Sequence, residues 1–166
     1  VTIATLDLCF SGSQDPYTGT GYGHAFWGGR YNPITDRFDM VTEKRVANYT
    51  KLVRDDPQFQ VDPNRITIYG GSLGGASMHI ASHYPTLYSA AFTSISAVDM
   101  TILGMAPPGT RVSGVAGNPT WEQWMDMKWM ADNGYPMPPI IHTYNKDDCT
   151  GALSTGHYPA ALTAIE

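Results

Sequence analysis

No apolar run reaches the ~18 residues that a membrane-crossing helix needs. Charged residues make up only 15% of the chain, against 42% hydrophobic, and the net charge is −5. Acidic and basic side chains are interspersed with no run of one sign, so the basic stripe that would suit nucleic acid or an anionic membrane is missing. Cysteine is scarce. Cys9 and Cys149 make neither a disulfide framework nor a metal cluster, and each follows an apolar segment, so both read as small buried thiols that leave the compartment open. There is also no initiator Met and no signal-peptide pattern. "VTIATLDL" begins at once as a strand, and the expectation is a fragment or processed product of a longer protein.

What is present fits a single globular α/β domain over residues 1–166. Seventeen Gly and 12 Pro call for many turns. The β-branched runs "VTIATLDL", "RITIY" (Arg65–Tyr69), "YSAAFTSIS" (Tyr88–Ser96) and "PPIIHTY" read as buried strands. Between them lie helical patterns. One runs from about Phe38 to Arg54, with Val46, Tyr49, Leu52 and Val53 on one side and Glu43, Lys44 and Lys51 on the other. Others cover Ala76–His83, Thr120–Gly134 and a last helix in "YPAALTAIE". Residues 11–37 and 104–120 read as long loops, and "DDPQFQVDPN" as a turn-rich connection. A glycosylation sequon at Asn48 falls inside a helical pattern. Strands alternating with helices imply a mostly parallel sheet.

One segment carries chemistry. "YGGSLGG", Tyr69–Gly75, contains G-x-S-x-G centred on Ser72. This pattern sets a nucleophilic serine on a tight strand-to-helix turn, and "RITIY" before it and "ASMHIASHYP" after it supply both flanks. Glycines on either side let a strained turn close, with Gly71 and Gly75 fitting the same crowding. The backbone N–H of Leu73, at the helix start, points where an oxyanion would develop. The bland alternative is a glycine-rich turn with an incidental serine.

Val61–Met100 resembles the nucleophile region of α/β-hydrolases. It is most similar to the prolyl-oligopeptidase-like branch, in which D-x-x-R-I, G-G-S-x-G-G and V-x-D-M stretches follow in this order; here they stand as "DPNRI", "GGSLGG" and, with Ala97 in the place of the valine, "AVDM". "IATLDLCFSGS…GYGHAFWGG" resembles the preceding strand and glycine-rich loop more loosely, with Cys9 and Phe10 where the branch has an arginine, and a longer insertion. The resemblance implies an α/β-hydrolase-type, mostly parallel sheet flanked by helices and incomplete at both ends. It also implies a serine hydrolase acting on a small ester or peptide through an acyl-enzyme, without cofactor or metal. A non-catalytic hydrolase-like binding domain and an acyltransferase using the same nucleophile are the alternatives. Oligomeric state is not legible.

The resemblance places the triad acid after "PPIIH". The branch has H-G-x-x-D; here Thr143 replaces the glycine and the turn is one residue longer, which makes Asp147 the candidate, with Asp148 as the alternative and Asp99 behind both. The catalytic base is harder to place. His79 and His83 lie four apart on one helix face and read as a buried pair rather than metal ligands. His142 sits inside a strand, where the branch carries a non-catalytic histidine, and His24 has no counterpart. His157 follows the acid by only ten residues, shorter than the usual spacing of about thirty that the resemblance implies, although "DDCTGALSTGH" is similar to a cutinase-type segment. The expectation is a base beyond Glu166, with His157 as the candidate within the chain. In the resembled strand order Cys9 and Cys149 stand about four strand steps apart, roughly 19 Å, too far for a disulfide. Tyr17, Tyr22, Phe26, Trp27, Trp121 and Trp124 could line a pocket over the site, or simply pack the core.

Overall fold

The computed structural model describes residues 29–71, 76–94, 101 and 106–143. The strand expected at Val1–Leu8, the aromatic residues from Tyr17 to Trp27, both cysteines and the last expected helix lie outside these residues.

The β-branched and small residues of "TIYGG", "AAFTS" and "IIHT" form three strands: β3 (Thr67–Gly71), β4 (Ala90–Ser94) and β6 (Ile140–Thr143). They pair in parallel in the order β3-β4-β6. The register sets Gly70 beside Thr93 and Thr93 beside His142, then Gly71 beside Ser94 and Ser94 beside Thr143. Two rows of aligned residues thus end the sheet at its carboxyl edge.

Helix α2 (Ser77–His83) follows β3 and crosses the same sheet. Its residues from Ser77 to Ser82 are all buried, so it is enclosed on every side. Small side chains make room for it: Gly70 and Ala91 are both buried on the sheet face it covers. Ile80 and Ala81 pack with Ala47, Leu87, Tyr88 and Ala91, and Ile68 and Ile140 close the layer. The opposite sheet face carries Tyr69, Phe92 and Ile141, aligned across the three strands and exposed.

Helix α1 (Val41–Asp55) lies beside α2, but its inward face is not the one the apolar spacing predicts. Thr42, Glu43 and Ala47 are buried, while Leu52 is 66% exposed and Tyr49 49%. The inward stripe keeps a three-and-four step but is rotated, because polar partners hold it. Thr50 Oγ1 meets the Tyr88 hydroxyl at 3.0 Å, and the Glu43 carboxylate meets His83. The sequon at Asn48 does lie in this helix. The connection to β3 consists of two 3₁₀ turns, Pro57–Phe59 and Pro63–Arg65, whose first N–H groups are taken by the Asp56 and Asp62 side chains.

The loop expected over residues 11–37 is in part a hairpin. β1 (Arg30–Asn32) pairs antiparallel with β2 (Arg37–Asp39). Asn32 Oδ1 accepts from the Ile34 N–H at 3.0 Å, and Asp36 takes a left-handed φ of 50° to close the turn. β2 also pairs in parallel with the two-residue β5 (Arg111–Val112), inside the second stretch expected to be loop. Gly29 is required where the chain enters the hairpin, since a Cβ there would stand 2.6 Å from both the Asp39 carbonyl and the Phe38 ring.

The helix expected over Thr120–Gly134 is two helices. Thr120 and Gln123 cap α3 (Trp121–Trp124) reciprocally, and Asp126 starts α4 (Met127–Asp132) by accepting the Lys128 N–H at 2.8 Å. The break splits the apolar residues between two clusters. Trp121, Trp124 and Met125 join Phe38, Met40 and Val112, whereas Met127 and Met130 turn to Met78 and Ile140. Trp121 and Trp124 are therefore core residues, 3% and 7% exposed, and not the lining of an open pocket.

Phe38 is fully buried at the centre of the first cluster, and Ile34 is 94% exposed at the hairpin tip. Phe38→Ala is expected to lower unfolding stability by ~3–5 kcal/mol in urea titrations. Ile34→Ala should change it by no more than ~0.5 kcal/mol.

Candidate active site

β3 ends at Gly71 and α2 begins at Ser77. Residues 72–75, which include Ser72 and Leu73, join them and lie outside the described residues, as do Asp99, Asp147, Asp148, His157 and His24. The flanks of G-x-S-x-G are nonetheless the strand and the helix that the motif needs. Gly70 is buried beneath α2, so the sheet face just before Ser72 has no side chain to keep the helix away. Among the described residues, a Cβ at Gly71 would meet the Tyr69 hydroxyl at 3.8 Å and the Ser94 carbonyl at 3.9 Å, both ordinary contacts.

The carboxyl edge collects the chain segments that matter. The residue after Gly71 is Ser72, and the chain leaving Thr143, two strands away, runs through four residues to Asp147. Two strand steps span about 10 Å.

The described histidines are committed to other bonds. His79 Nε2 lies 3.1 Å from the Met125 carbonyl oxygen. His83 uses both ring nitrogens, Nδ1 toward Glu43 Oε2 at 2.6 Å and Nε2 toward the Trp124 carbonyl oxygen at 2.9 Å. The pair reads as buried structural histidines, and among the described residues no cluster of three or more metal-ligating side chains occurs. The role of Glu43 had no sequence signal beyond a carboxylate falling in register with Ala47, since charge alone places it on the outer face.

His142 stands in the row of Gly70 and Thr93, with its Nδ1 on the Thr93 hydroxyl. Burial pushes its pKa down to about 4 from the usual 6.5. Such an imidazole is neutral at pH 7 and too weak a base to draw a serine proton efficiently. Tyr84 is shifted the other way. Burial, reinforced by the Glu43 charge, raises its phenol to about 12.

A parallel strand ending in glycines and a buried helix folded back over the same sheet are the described flanks of the G-x-S-x-G segment. The family model of the prolyl oligopeptidase family matches residues 16–146. The chain belongs to that family, which is one of serine hydrolases. No curated protein and no solved structure matches the chain significantly. The matched span contains Ser72 and Leu73 and stops one residue before Asp147. No helix among the described residues is long and apolar enough to cross a membrane.

The lowered pKa of His142 has a defined effect on stability. The neutral ring is favoured in the folded state, so its contribution is complete above pH 6.5 and is lost as pH falls from 6.5 toward 4. Urea midpoints measured across this window should fall in the wild type and fall less in His142→Gln.

Proposed function

We propose that the chain carries the catalytic serine of an α/β-hydrolase-type enzyme that cleaves an ester or peptide bond through an acyl-enzyme on Ser72. The observation that supports this reading is the pair of elements that flank the serine in the sequence. β3 ends at Gly71 at the carboxyl edge of a parallel sheet, and α2, buried across that sheet, begins at Ser77. In the proposed reaction Ser72 Oγ attacks the substrate carbonyl as a base removes its proton, and the Leu73 N–H stabilises the oxyanion. The leaving group departs with the returned proton, and water releases the acyl group by the same steps.

Asp147 is the proposed acid, with Asp148 as the alternative. A connection of four residues beyond Thr143 can span at most ~14 Å, which is enough to return toward the neighbourhood of β3 from a strand about 10 Å away. The acid would hold the base in one tautomer and stabilise its charged form. For the base, His79 and His83 are engaged with α3 carbonyls and His142 is too weakly basic. That leaves His157 and His24, of which His157 follows the proposed acid in chain order. The membership of the family supports a peptide substrate, and ester cleavage follows from the same chemistry.

Turnover of a chromogenic ester and of a peptide anilide tests this proposal. Ser72→Ala should lower kcat/KM by ~10⁴-fold or more, with folding unchanged. Asp147→Asn should cost about 10⁴-fold, and Asp148→Asn no more than a few-fold. Loss of activity in a folded His157→Ala variant supports His157 as the base, whereas retained activity rules it out. Retained activity in Ser72→Ala would refute the mechanism.

A further inference from the structure

His83 has an acceptor at each ring nitrogen. The Trp124 carbonyl oxygen can only accept, and so can the Glu43 side chain when it is a carboxylate rather than a carboxylic acid. A neutral imidazole has one N–H and can satisfy only one of them; its other nitrogen would aim a lone pair at an oxygen. Only the doubly protonated ring donates to both. We propose that His83 is held inside the protein as an imidazolium, a two-armed clamp that joins α1 through Glu43 and α3 through Trp124 to the helix following the glycine turn. This does not depend on the assignment of Ser72.

The surroundings suit a buried cation. The His83 and Glu43 side chains are 1% and 4% exposed, and a charge so enclosed persists only beside an opposite one. The Trp124 indole lies flat against the imidazole, with ring centroids 3.9 Å apart and planes inclined by 12°, which places the cation on a π face. The other titratable groups nearby do not compete for the role. Tyr84, its phenol pushed up to about 12 by burial and the Glu43 charge, stays neutral. Tyr88 is likewise pushed up by burial and the Glu43 charge, and its hydroxyl is on Thr50. His79, on the same helix, has its ring centroid 6.5 Å away and its Nε2 directed at the Met125 carbonyl. Glu43 is thus the counter-charge, and removal of either ring proton from His83 would delete one arm of the clamp.

Nitrogen-15 imidazole correlation spectra of the full chain at neutral pH test the proposal. The His83 ring can be assigned by its through-space contacts with the Trp124 indole. Both ring nitrogens are expected at protonated shifts. In Glu43→Gln the new amide can donate to Nδ1, so His83 should switch to the neutral tautomer protonated at Nε2 alone. A wild-type ring with one unprotonated nitrogen, as when Glu43 itself carries the proton, overturns the proposal. So does a Glu43→Gln ring that keeps both protons. If that variant does not fold, the wild-type spectrum decides alone.

Discussion

The parallel register of β3, β4 and β6 is the constraint on which the candidate site depends. It fixes Gly70, Thr93 and His142 in one row and Gly71, Ser94 and Thr143 in the next. A slip of one residue would turn every side chain of a strand to the other face. Ala91 and Thr93 would leave the α2 side, and Phe92 would be driven beneath the helix. The alternation of small and large residues in "AAFTS" therefore sets the register. The register in turn sets which chain segments leave the sheet side by side.

Helix α2 depends on that face and on a polar anchorage at its far end. Its middle is held by apolar packing with Ala47, Leu87 and Tyr88, and by the Met127–Met130 layer. Its last turns are held by His79 and His83, which reach the carbonyls of Met125 and Trp124 at the end of α3. Those carbonyls stand at the end of a short helix, where backbone acceptors have no intrahelical partner. Apolar packing is non-directional and hydrogen bonds are not, so the histidines define the rotation of α2 about its axis. The helix that begins just after the glycine turn is oriented from its opposite end.

The elements of this central layer were legible because each has a strong local signature. "RITIY", "YSAAFTSIS" and "PPIIHTY" are β-branched runs bounded by turn residues, and the observed strands fall within or one or two residues beyond them. The hairpin of β1 and β2 was hidden because its strands are three residues long, and Asn32-Pro33 and Asp36 read only as turn chemistry. The break at Asp126 was hidden by an unbroken helical pattern, because an aspartate is equally acceptable as a solvated residue and as a cap. The inward face of α1 was misread because Glu43 is buried by a partner forty residues away in the chain. Among the residues weighed for the site, the strand and helix that flank Ser72 and the buried pairing of His79 with His83 were readable from spacing. The tryptophans at 121 and 124 were not separable by sequence into pocket and core.

Chemical labelling tests whether Ser72 is the nucleophile. The chain is treated with a fluorophosphonate under conditions in which it hydrolyses an ester, and the digested peptides are mapped by mass spectrometry. A single adduct on Ser72, forming in step with loss of activity, is the predicted result. An adduct confined to another serine, or full inactivation with Ser72 unmodified, would contradict the account.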